Sequence, residues 1–161
     1  MAKVTGNSVW DALKGKKETA TEKVEINFGD VEAELTVKFR DVDVIQEIEE
    51  EYDKKMPRKP KKKVDLGHET ITIEVPSEED KYKVFNDCDE AKEWEEKAKP
   101  IQMEKLARTA YAFLVEEDRP DEDAKKGTKI LLDRLRIADI TKIMQAGMKL
   151  IGFDENIKKQ S

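Results

Sequence analysis

Two runs of alternating apolar and polar residues, separated by Gly29-Asp30, constrain this chain more than any other feature. Val24, Ile26 and Phe28 alternate with Glu25 and Asn27; Val31, Ala33, Leu35, Val37 and Phe39 alternate with Glu32, Glu34, Thr36 and Lys38. A period of two places every apolar residue of a strand on one face. A two-residue connection beginning with glycine supplies the positive φ that a type II′ turn requires. The spacing therefore predicts a β-hairpin over 22–39 with one apolar and one charged face, to be covered on one side only. An isolated hairpin is at best marginally stable in water, so the remaining chain must provide that cover.

Downstream the period lengthens. Val42, Ile45, Ile48 and Tyr52 recur at helical spacing behind a cap at Asp41 or Asp43. The other faces of this helix carry Asp41, Asp43, Glu47, Glu49, Glu50, Glu51 and Asp53, with no Lys or Arg among them. The sign then reverses in Lys54-Lys55-Met56-Pro57-Arg58-Lys59-Pro60-Lys61-Lys62-Lys63. Its two prolines forbid a regular helix, and the stretch 54–68 is expected to be an exposed, mobile basic loop. Ile71, Ile73 and Val75 alternate again and predict a third strand, placed at the edge of the hairpin. Ser77 is expected to cap a helix with Phe85, Cys88, Ala91, Trp94 and Ala98 on its apolar stripe. Pro100 suits the first turn of a following helix, with Met103, Leu106, Ala107, Ala110, Phe113 and Leu114 buried. After a charged loop over 116–127, an apolar helical region opens at Thr128 and runs to Ile151, as one helix or as two broken near Arg136. Gly152-Phe153 closes it as a left-handed cap with its hydrophobic contact. The element order defines an α+β fold: a small antiparallel sheet, hairpin plus third strand, followed by a mainly helical C-terminal body.

At 161 residues the chain is long enough for one real core. The expected organisation is a flexible lead-in at 1–21, a single α+β domain at 22–155 containing the basic loop, and a tail at 156–161. Charged residues make up 42% of the chain, but the signs nearly balance at a net charge of -6, unlike a dedicated nucleic-acid binder. No apolar run approaches the roughly 20 residues of a membrane span, and the first residues lack the apolar core of a signal peptide. A cytoplasmic protein is expected. The single Cys excludes an internal disulfide and a cysteine-based zinc cluster.

Enzymatic signals are poor, and no catalytic, cofactor-binding or metal-ligating residue is assigned. His68 is the only histidine and reads as a turn residue beside Gly67. Cys88 falls on an apolar stripe, where cysteine behaves as a small hydrophobe. The glycines form no phosphate-binding loop. The acids at Asp87, Asp89 and Glu90, and those at 116–123, do not follow EF-hand spacing. Two stretches qualify as contact surfaces instead. Arg58, Lys59, Lys61, Lys62 and Lys63 offer electrostatic contact to phosphates or to a partner protein, or simply solubilise a loop. No aromatic residue is interleaved for base stacking, and the preceding acidic helix repels phosphate, so nucleic acid is not the expected partner. In the C-terminal segment, Ile140, Ile143, Met144, Met148, Leu150 and Phe153 present more apolar surface than one buried stripe needs. A Met-containing surface that repacks suits a chaperone or a promiscuous binder; the alternative is that all of it is core.

The run Val31-Glu-Ala-Glu-Leu-Thr-Val-Lys-Phe39-Arg40, the acidic helix Asp43-Val-Ile-Gln-Glu-Ile-Glu-Glu-Glu51 and the closing segment Ala138-Asp-Ile-Thr-Lys-Ile-Met-Gln-Ala-Gly-Met-Lys-Leu-Ile-Gly-Phe153 together resemble the tail assembly chaperones of long-tailed bacteriophages. The resemblance spans roughly 22–155; the basic loop and the strand at 69–75 depart from its pattern. It implies a non-catalytic protein of the host cytoplasm, without cofactors. Such a protein coats the tape measure protein, keeps it soluble and helps recruit tail tube protein; a homo-oligomer is compatible with that role. It also implies a longer, frameshifted form, for which Lys158-Lys159 is compatible with a slip site. Two other classes fit the residues: a structural virion protein of the tail or connector, and a small nucleic-acid or regulatory binding protein.

Overall fold

The computed structural model describes residues 19–28 and 30–152. Most of the lead-in, Phe153 and the tail at 156–161 lie outside the described residues. The fold is α+β: two small antiparallel sheets and a mainly helical C-terminal body. The chain comprises two compact units. One comprises residues up to Glu50 and from Glu104 onward, and the other is Glu51–Met103.

The first unit contains the hairpin, with β1 at Thr21–Phe28 and β2 at Val31–Lys38. Phe28 faces Val31 and Thr21 faces Lys38, the register expected of two alternating runs on either side of Gly29-Asp30. Val24, Ile26 and Val37 are buried, while Lys23, Glu25, Glu32 and Glu34 stay exposed, the alternation expected of a sheet covered on one face. The cover comes from Ala107, Ala110, Tyr111, Phe113 and Leu114 at the end of α2 (Asp89–Phe113), Leu131 of α3 (Ala124–Arg134), and Ile140, Ile143 and Ile151 of α4 (Ile137–Ile151). Two glycines permit close packing. A Cβ on Gly147 of α4 would overlap the Phe113 ring, and one on Gly127 of α3 would overlap the Tyr111 ring. Helix α1 (Val42–Asp53) adds Val42 and Ile45 to the same core, the narrow stripe its spacing implies.

The two edges of this sheet are treated differently. Beyond β2, Val115 N–H donates to Thr36 O at 3.0 Å, and Thr36 N–H donates to Asp118 Oδ2 at 2.7 Å. On the β1 side, among the described residues, Arg136 Nη2 donates to the carbonyl of Asn27 at 3.2 Å. The Arg136 guanidinium also holds Asp139, with Nε 3.0 Å from Oδ2 and Nη2 3.4 Å from Oδ1. Asp139 is fully buried in the first turn of α4, where a carboxylate also favours the helix dipole.

The second unit departs from the sequence expectations in three ways. The basic stretch is not a loop throughout: Lys61–Asp65 forms β3. Lysine hid the alternation here, because Lys62 points inward beside Val64 and carries its ammonium back out to Glu90 at 3.6 Å. The strand at 70–74, β4 (Thr70–Glu74), does form, but it pairs with β3 in a separate two-stranded sheet instead of extending the first hairpin. Proximity in sequence decides the pairing, since a four-residue turn at Leu66–Glu69 closes it, with Leu66 N–H on Glu69 O at 2.9 Å and Gly67 at φ 89. Finally, Ser77 does not open an α-helix. Asp80–Asp87 is a 3₁₀ segment, and α2 begins only at Asp89. The Asn86 side chain takes both the N–H of Ser77 (2.6 Å) and, through its amide, the Ser77 carbonyl (2.8 Å), which secures the turn without a helix. The small core of this unit is Val64, Ile73, Val75 and Ala91, with Ile71, Tyr82, Phe85 and Cys88 against it.

Pro100 likewise does not start a helix; α2 runs through it unbroken from Asp89 to Phe113. The proline is exposed, and Ala98 and Ala107 on either side are fully buried, so packing outweighs the lost hydrogen bond. The final apolar region is two helices. Leu135 and Arg136 are extended (ψ 150 and 152) between α3 and α4, and α3 starts at Ala124 behind an Asp123 cap.

Candidate interaction surfaces

Helix α4 carries most of the expected partner-binding residues, and its 3.6-residue period sorts them. Ile140 and Ile143 share the buried face with Gly147 and Ile151 and have no exposed surface, so they hold the sheet and do not face outward. Leu150 and Met148 are half-buried and pack against that core. Met144 is half-buried and lies outside the core cluster. A row Ile137, Thr141, Met144 and Met148, spaced four, three and four residues apart, follows one side of α4. Ile137 at its start is 38% exposed. Phe153 lies outside the described residues. Gly152 adopts the left-handed conformation (φ 82) expected of the cap.

The basic residues divide in two. Lys59 is drawn in: its Nζ donates to Pro76 O at 3.0 Å, approaches Glu78 at 3.8 Å and lies 5.4 Å from the centre of the Trp94 ring. The indole N–H of Trp94 donates in turn to Pro57 O at 2.9 Å, tying down the proline-rich stretch. Lys62 is engaged with Glu90. That leaves Arg58, Lys61 and Lys63 exposed, with Lys61 and Lys63 on the outer face of β3 opposite Glu74 and Thr72. The five cations thus form no continuous patch of free charge. The backbone N–H of Glu90 itself, then the Cys88 side chain and Lys62, hold the Glu90 carboxyl below the ordinary carboxylate range.

Sequence reasoning missed a cluster of arginines in the first unit. Arg40 Nε donates to Ala112 O at 2.7 Å, and Arg119 Nη2 reaches the same oxygen at 3.4 Å while its Nε bonds Leu114 O at 3.2 Å. They satisfy carbonyls at the end of α2, where cations also suit the helix dipole. Burial, and then the neighbouring Arg119, push the Arg40 pKa down. Arg40 is 79 residues from Arg119 in sequence, so no local pattern announces the pair.

His68 is exposed in the β3–β4 turn, 3.5 Å from Glu69, and Cys88 is a half-buried free thiol. Among the described residues no group of three His, Cys, Asp or Glu side chains is arranged to hold a metal. Also among them, no helix is long and apolar enough to cross a membrane. No protein-family model matches the chain, and no curated protein or solved structure matches it.

Proposed function

We propose that this chain is a non-catalytic phage tail assembly chaperone that binds the tape measure protein in the host cytoplasm and helps recruit tail tube subunits. The reading rests on the resemblance of its hairpin, acidic helix and closing apolar helix to that family, and those three segments fold as β1–β2, α1 and α4. One observation carries it furthest: Met144 and Ile137 lie outside the core cluster, and with Met148, which borders that core, they form a partly exposed row along one side of α4. A tape measure protein exposes long apolar helix faces, and a flexible thioether row is suited to cover them.

Quantitative mass spectrometry of producing cells and purified particles tests the role. The chain is expected in cells and missing from particles, while stoichiometric presence in particles overturns the chaperone reading in favour of a structural tail or connector protein. Co-purification of a tape measure segment with the wild-type chain but not with Met144→Glu would tie the row to that role.

A further inference from the structure

The outer edge of β1, unpaired among the described residues, has the charge pattern of a strand that pairs with itself. Thr36 turns its N–H and C=O away from β1 toward Val115 and Asp118. In an antiparallel ladder its cross-strand partner Lys23, and Thr21 and Glu25 two residues either way, must then turn theirs to the opposite edge. Among the described residues, nothing bonds the peptide groups of Lys23 and Glu25 on that side. The edge borders an open groove of about 540 Å³, lined by Glu22–Glu25 of β1 and by Lys142, Gln145, Ala146 and Lys149 of α4.

Charge selects the occupant. On the outer face Glu25 sits directly opposite Glu34, a repulsive cross-strand pair. Lys23 reaches Glu34 at 3.4 Å, while Glu25 has no cation of its own among the described residues. We propose that β1 pairs antiparallel with β1 of a second copy about a two-fold axis through Val24, making a continuous four-stranded sheet. In that register Lys23 of each copy faces Glu25 of the other, the outward peptide groups of both residues bond across the axis, and Thr21 faces Asn27. The neighbouring registers fail on charge: centring on Lys23 opposes two lysines, and centring on Glu25 opposes two glutamates. On the groove side Val24 meets its own copy. Glu22 of the second copy then lies against Ile26, on the side of the groove where Lys142 stands. Lys149 already pairs with Glu22 of its own chain at 3.6 Å. Lys142 has no acidic partner among the described residues and is free to take the second Glu22. A two-fold interface counts every such contact twice. This pairing does not depend on the chaperone reading.

Sedimentation equilibrium of the full chain, from about 1 µM to about 0.1 mM, reads the outcome, because a short edge contact dissociates on the order of micromolar. A reversible dimer is expected. Lys23→Glu and Glu25→Lys should each weaken it about tenfold or more, and the double reversal Lys23→Glu/Glu25→Lys should restore it, since it re-creates opposite charges across the axis. Glu25→Pro should also dissociate the dimer, since its N–H points away from β2; circular dichroism confirms that each variant stays folded. A monomer throughout the range, or a dimer indifferent to both single reversals, overturns the proposal. Failure of the double reversal to recover the dimer overturns the register.

Discussion

Gly147 of α4 lies directly on the ring of Phe113 in α2, with no room for a side chain between them. Both are buried, and Phe113 is among the largest side chains with no exposed surface. The contact fixes how closely α4 approaches the helix that supplies half of the sheet's cover. Gly147→Ala tests it. Alanine favours a helix interior by about 1 kcal/mol over glycine, but overpacking costs roughly 1–3 kcal/mol. Net destabilisation is expected, read as a lower urea midpoint with an unchanged slope. A stabilised variant would mean that the ring has space to move.

Among the described residues Arg136 is the ion-pair partner of the fully buried carboxylate of Asp139, and it also bonds the Asn27 carbonyl. Arg136→Ala strands a buried charge and frees the end of β1. A loss of about 1–3 kcal/mol is expected in chemical denaturation. Arg136→Lys should recover only part of it, because an ammonium lacks the fork that reaches both carboxylate oxygens. Full recovery by lysine would show that charge alone matters.

Glu90 gives a pH signature. Its carboxyl is held below the ordinary range first by its own backbone N–H, then by Cys88 and Lys62. A folded-state pKa below the unfolded value adds stability that is fully present above the unfolded pKa and is lost as pH falls through the folded one. The Glu90 side-chain carbon resonance should therefore titrate below those of ordinary glutamates. Lys62→Met should move it upward, leaving the part set by the backbone. An unmoved midpoint in that variant would remove Lys62 as a cause.

Met144→Glu separates folding from binding. Met144 is half-buried and lies outside the core cluster, so the variant should unfold within about 0.5 kcal/mol of wild type, as surface substitutions do. Its capture of a tape measure segment is expected to fall about tenfold or more. A large stability loss would instead assign Met144 to the core.

The first hairpin was legible because Val24 to Phe28 and Val31 to Val37 each keep a period of two, and a glycine stands between the two runs. The second was half legible. Ile71 and Ile73 announced β4, but β3 is written in lysines whose long stems satisfy an inward position as valine would. Pro100 misled in the opposite direction, since a local breaker yielded to burial on both sides. On α4 the apolar residues were legible, but their division between buried and partly exposed sides was not. Ile140 and Met144 differ by one turn and only about 40° around the axis, and which of them meets the sheet depends on strands a hundred residues away. The arginines on Ala112 O were invisible for the same reason.

The insertion of Glu51–Met103 into the middle of the first unit has a consequence for synthesis. Translation makes the apolar face of the hairpin first, yet its cover on α4 leaves the ribosome about a hundred residues later, several seconds at usual elongation rates. The interrupting segment is contiguous and emerges whole in the interval. The apolar face of the hairpin is therefore covered in stages as the chain emerges, by the end of α2, then by Leu131 of α3, and last by α4.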